Sequence, residues 1–118
     1  MLDGYAGKFL WVDLTSGEIE EESPPPSLLR EYIGGYGVGA RVLYDRLSPG
    51  VDPLGPENLL GFLTGPLTGT TAPTATRWTV VTKSPLTGGW GDANASGYFG
   101  VALKRSGYDA VFFRGISE

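Results

Sequence analysis

The chain has 118 residues, enough for one domain with a modest core, and carries nine Lys and Arg against thirteen Asp and Glu, a net charge of −4. That balance argues against nonspecific affinity for nucleic acid, whose phosphates require a basic surface, and no apolar run reaches the ~18 residues of a membrane span. Without cysteine or histidine, it has no thiolate nucleophile, disulfide or imidazole base and lacks nearly every zinc, haem or iron–sulfur ligand set.

The opening MLDGYAGKFLWVDL contains Asp3 and no uniform apolar stretch before a small-residue cleavage site. A signal peptide is therefore not expected, and the cytoplasm is the expected location. Acid dominates the early part, at Asp13, Glu18, Glu20, Glu21, Glu22 and Glu31. Between Leu59 and Ser106 only Asp92 opposes Arg77, Lys83, Lys104 and Arg105. This second half is suited to an anion, or simply carries solvated surface charge.

In chain order, KFLWVDLTSGEIEEES reads as a hairpin, with Phe9 and Trp11 in the first strand, a turn at Ser16-Gly17 and a return over Glu18 to Glu22. SPPPSLLREYIGG predicts a short helix capped at Ser27 and ending at Gly34. GVGARVLYDRLSPG predicts a second helix, with Val38, Val42, Leu43 and Leu47 on one period and Pro49-Gly50 closing it. These helices are expected to cover a sheet. Leu59 to Thr64 predicts a buried strand, and TRWTVVTKS another, with Arg77, Thr79 and Val81 on one face. PLTG follows each of these strands, at Pro66 and again at Pro85, as one favoured turn used twice. A helix from about Ser96 to Ser106, stopped by Gly107, and a final strand YDAVFFRG complete the chain.

Two stretches are candidate sites. In IGGYGVGARVLY the glycines at 35, 37 and 39 are spaced GxGxG rather than GxGxxG, and the segment before them reads as helix. A close-packed helix–helix turn accounts for them better than a dinucleotide site. GGWGDANASG reads as a glycine-rich loop that leaves backbone groups accessible. Asn94 or Ser96 would cap the next helix, and Lys104 and Arg105 would complement its dipole. The cap leaves the other small residues unexplained; they suit a flat or bulky anionic ligand laid on the backbone at a helix N-terminus, with Arg77 offering a planar fork to a phosphate.

GPLTGTTAPTATRWTVVTKSPLTGGWGDANASGYFGVALKRSGYDAVFFRG, with GYAGKFLWVDLTSGEI, GGYGVGARVLY and VDPLGPEN before it, resembles the N-terminal domain of the aldehyde:ferredoxin oxidoreductase family, essentially end to end. The resemblance implies an α+β fold, mixed or antiparallel sheets with a few short covering helices, as a single domain over residues 1–118. It implies a bis-pterin cofactor holding tungsten or molybdenum, with Mg2+ bridging the two pterin phosphates. By motif, Arg77 matches a pterin-contacting arginine, and Asn94 a residue whose backbone carbonyl binds the magnesium. Ala95, Ser96 and Gly97 match small residues beside the pterin, although the family often has glycine where this chain has Ser96. No catalytic acid or base is assigned; Glu31, Glu57 and Asp92 are read as surface, capping or turn residues.

Family members run far beyond this length, and their 4Fe-4S cysteines and second pterin loop are not in this sequence. The chain is accordingly expected to be a fragment, or a small subunit completed by a partner. The complete enzyme would oxidise aldehydes to carboxylic acids with ferredoxin as acceptor, and a homo-oligomer is compatible with that. The alternative is a non-catalytic assembly module that pairs with another chain through a sheet edge left open after VFFRG.

Overall fold

In the computed structural model, which describes residues 3–118, the last strand of the sequence is an inner strand of the sheet. The elements are β1 (Phe9–Asp13), β2 (Ile19–Glu22), α1 (Pro26–Tyr32), α2 (Gly35–Arg46), β3 (Leu60–Thr64), β4 (Trp78–Lys83), β5 (Trp90–Ala95), α3 (Tyr98–Arg105) and β6 (Ala110–Arg114). The strands form one six-stranded sheet in the order β2-β1-β6-β3-β4-β5. Only the β1/β6 pair is parallel, so the sheet is mixed, and the class is α+β as expected. No helix among the described residues is long and apolar enough to cross a membrane.

Alternation along the strands sorts the side chains into two faces. On one, Phe9, Trp11, Leu63, Val81, Ala110 and Phe112 meet Leu29 of α1 and Val38, Val42 and Leu43 of α2 in a continuous core. The Phe112 ring stacks on Trp11 with centroids 4.6 Å apart and meets Phe9 edge-on. Gly61 makes room for it: a Cβ there would stand 2.7 Å from Cε1 of Phe112. Gly39 likewise lets α2 sit directly on Val81. The opposite face carries α3 and a half-buried group of Phe62, Trp78 and Phe113, against which the exposed Phe99 of α3 packs.

Several expectations are corrected. The strand AVFFR is bonded on both sides, by β1 and β3, so the open edge expected there does not exist; its residues are apolar because both of its faces are covered. The free edges belong to β2 and β5. GGWGDANASG is a loop only at its ends. All six residues of Trp90–Ala95 pair with the β-branched, aromatic β4, which supplies the strand preference that β5 lacks. Neither Asn94 nor Ser96 caps α3. The helix starts after Gly97, whose φ of 111° makes the turn that a side chain would resist, and no side chain caps it. Ser27 is not a cap either. Pro26 opens α1, where its missing N–H costs nothing.

Lys104 does not sit free at the helix C-terminus. Its Nζ pairs with Oδ1 of Asp109 at 2.7 Å, the two side chains only 12% and 5% exposed, and also donates to the Gly4 carbonyl at 2.9 Å. The Asp109 carboxylate accepts the Ala6 and Gly7 N–H groups as well, at 2.9 and 2.7 Å. The backbone carbonyl of Asp109 takes both the N–H and the hydroxyl of Thr64. Tyr5, on the same N-terminal strap, packs its ring against the Lys104 ammonium and donates its hydroxyl to the Ile33 carbonyl at 2.6 Å. Burial, and then the charge of Asp109, hold the Tyr5 phenol above its ordinary pKa, so it remains a donor.

Two substitutions test this packing by denaturation. Gly61→Ala pushes a methyl group into the Phe112 ring and is expected to cost about 1–3 kcal/mol. Lys104→Met leaves the Asp109 carboxylate without its cation and is expected to cost about 3 kcal/mol; a loss below about 0.5 kcal/mol in either variant contradicts the stated role.

Candidate functional site

The residues singled out in the sequence converge on one end of the sheet. Arg77 directly precedes β4, Asn94 and Ala95 end β5, and Ser96 and Gly97 join β5 to α3. The antiparallel register sets Thr79 opposite Asn94 and Trp78 opposite Ala95, which brings Arg77 back beside the end of β5. Its Nη1 donates to Oδ1 of Asn94 at 2.5 Å. The other end of the same amide, Nδ2, donates to the Tyr36 hydroxyl at 2.8 Å. Tyr36 belongs to the first turn of α2, so three separate elements meet at this side chain.

With both ends of its amide engaged, Asn94 offers its backbone. The direction of that backbone follows from the ladder. Ser84 donates its N–H to the Gly89 carbonyl at the base of the β4–β5 hairpin, at 2.8 Å. In an antiparallel pair, bonded and non-bonded positions alternate. The bonded positions are therefore Thr82/Gly91, Val80/Ala93 and Trp78/Ala95. Those between them, including Thr79/Asn94, turn the β5 backbone away from β4. The Asn94 carbonyl thus faces the open edge of the sheet.

Arg77 and Tyr36 also border a groove of about 560 Å³, between the α1–α2 junction and the loop from Gly65 to Arg77, with Trp78 and Thr79 in its wall. Two features of the groove are costly for the fold. Ile33 and Thr74 border it, and both hold positive φ, 67° and 59°, in a region that branched side chains avoid. Trp78 Nε1 and Thr79 Oγ1 are buried without a hydrogen-bond partner among the described residues. The Thr79 hydroxyl lies on the α2 side of the sheet, against Gly35, so strain at Ile33 and an unsatisfied polar atom stand close together there, a combination that marks a functional region better than either does alone. The first turn of α3 opens beside the end of β5, and its N–H groups have no side-chain cap.

The charge of the second half is not pooled here. Lys83 donates to the Val51 carbonyl, Lys104 is engaged with Asp109, and Arg105 lies at the far end of α3. Arg77 is the cation of the site. Among the described residues, no group of three or more His, Cys, Asp or Glu could hold a metal ion. The glycines at 34, 35 and 37 pack the helix junction: a Cβ on Gly34 would meet Gly65 Cα at 2.9 Å, and one on Gly37 would meet the Tyr32 carbonyl oxygen at 2.3 Å. The close-packing reading of that run holds. Sequence reasoning missed Tyr36, although an aromatic residue within GGYGVG is itself an unusual signal.

Comparison with known proteins places the chain in a family. The family model described as "Aldehyde ferredoxin oxidoreductase, N-terminal domain" matches residues 9–118. The tungsten-containing aldehyde ferredoxin oxidoreductase of Pyrococcus abyssi is 50% identical over 115 residues, which is 98% of this chain and 19% of that protein. The WOR-like subunit of the aliphatic sulfonate oxidoreductase of Pyrococcus furiosus is 41% identical over 114 residues, 94% of this chain and 18% of its own length. Among solved structures, the active-site complex BamBC of benzoyl coenzyme A reductase, with 1,5-dienoyl-CoA, superposes with a TM-score of 0.96 at 42% identity. That match covers 99% of this chain and 18% of the other. The chain thus spans about a fifth of the length of these relatives. It belongs to the aldehyde ferredoxin oxidoreductase family and corresponds to that family's N-terminal domain.

Proposed function

We propose that this domain is the surface on which a tungsten bis-pterin cofactor rests, as part of a larger enzyme that oxidises aldehydes to carboxylic acids and passes the electrons to ferredoxin. The observation that carries the reading is Asn94, whose amide is engaged by Arg77 and Tyr36 while its carbonyl faces the open edge. A carbonyl is a suitable ligand for a hard cation such as Mg2+. Arg77 commits one N–H to Asn94 and presents the rest of its fork to a phosphate.

The residues fit such a group. Gly97 has open space where a Cβ would project, Ala95 and Ser96 are small, and the uncapped turn of α3 favours negative charge. When bound, the cofactor supplies the redox chemistry; the protein orients it and balances its charge. Tungsten or molybdenum would be held by pterin sulfurs, so these residues do not select the metal. The chain has no cysteine, so we place the 4Fe-4S cluster in the remainder of the enzyme.

The names of the relatives extend from aldehydes to aliphatic sulfonates and a benzoyl thioester. For that reason we assign no choice of substrate to this domain. A second reading, in which a partner subunit completes the enzyme, is favoured by the relative named as a WOR-like subunit.

In the complete enzyme carrying this domain, Arg77→Ala is expected to lower tungsten and pterin per protein by about tenfold, because a charge-assisted fork is lost. Arg77→Lys should restore only part of it. Elemental analysis and pterin fluorescence provide the measurement, and unchanged loading in Arg77→Ala removes the assignment.

A further inference from the structure

We infer that Tyr36 is a positioning residue of this site, acting through the Asn94 side chain to hold in place the Asn94 carbonyl, whose direction the β4–β5 ladder sets; this rests on the cofactor reading above. An edge strand is held on one side only, so the last residues of β5 need a hold from elsewhere. Pairing with β4 ends at Trp78/Ala95. Beyond that pair, Gly97 gives the backbone freedom just where rigidity is needed.

The Tyr36 hydroxyl meets this need from the core side. It accepts from Nδ2 of Asn94 at 2.8 Å while Arg77 donates to Oδ1, so the amide can satisfy both partners in one orientation only. Tyr36 is itself fixed in place. Gly35 approaches Thr79, a Cβ there falling 3.4 Å from Cγ2, and Gly34 is tucked against Gly65. Before them, the strained Ile33 gives its carbonyl to the Tyr5 hydroxyl at 2.6 Å. A line of contacts therefore runs from the buried Lys104–Asp109 pair through the N-terminal strap and the α1–α2 junction to the outermost strand. Arg77 alone would not fix the edge, because it lies in the loop before β4, whereas Tyr36 is carried by a helix.

The test uses the complete cofactor-loaded protein and follows magnesium and pterin released on addition of EDTA. Tyr36→Phe keeps the ring and removes only the hydroxyl; it should speed release by roughly fivefold, the effect of one neutral hydrogen bond, with the thermal midpoint of the cofactor-free protein lowered by no more than a few degrees. In an Asn94→Ala background, which keeps the backbone carbonyl, Tyr36→Phe should have no further effect, because its route of action is gone. Release at the wild-type rate in Tyr36→Phe, or an equal effect in the Asn94→Ala background, overturns the inference. If Arg77→Ala lowers loading while Tyr36→Phe changes nothing, only the role of Tyr36 falls; if neither changes anything, the cofactor reading falls with it.

Discussion

The arrangement depends on one buried carboxylate. Asp109 lies at the entry to β6, and through its side chain and backbone it binds the N-terminal strap, the end of β3 and the last turn of α3. Its own N–H donates to the Lys8 carbonyl at 2.8 Å, beside the start of β1. Such a pair contributes little net stability over a well-packed apolar substitute, because two charges have to leave water. Its value is in placement. The strands on either side of β6 are separated by many residues in sequence, and Asp109 sets where both meet it.

The consequences reach the far end of the sheet. Fixing the last turn of α3 at Lys104 fixes the direction of an eight-residue helix whose first turn opens at Gly97. Gly100 seats that helix against Trp78, where a Cβ would stand 3.0 Å from the Trp78 Cβ. The position of the helix N-terminus relative to Arg77 and Asn94 is thus the outcome of core packing on one face and an ion pair at one end.

Much of this was legible in the chain. The hairpin, the three segments read as helices and the apolar strands follow from alternation, helical period and glycine stops, all of which are local. β5 was not legible as a strand: glycine, alanine and asparagine carry little strand preference, and β4 imposes the conformation across the hairpin. The inner position of β6 was hidden too, because an apolar run says that both faces are covered and not which strands flank it. Arg77 and Asn94 were visible because a motif of small residues is conspicuous. Tyr36 was not, since 58 positions separate it from Asn94 and only the fold brings them together. The expected caps at Ser27, Asn94 and Ser96 were displaced by proline and glycine, which set the backbone directly instead of bonding to it.

The inner position of β6 also bears on how the chain is made. A ribosome delivers β1 and β3 long before the strand that must lie between them. Until then the sheet exists at best as two halves, β1–β2 and β3–β5, each presenting an unpaired edge that later becomes interior. Such contacts between distant parts of the sequence form slowly, and apolar edges waiting for them are open to wrong partners. Of the two outer edges, the one first synthesised reads Ile-Glu-Glu-Glu; like charges along it oppose strand addition from another nascent chain. The edge formed by β5 has no such row of charges, so during synthesis it is the side most in need of protection.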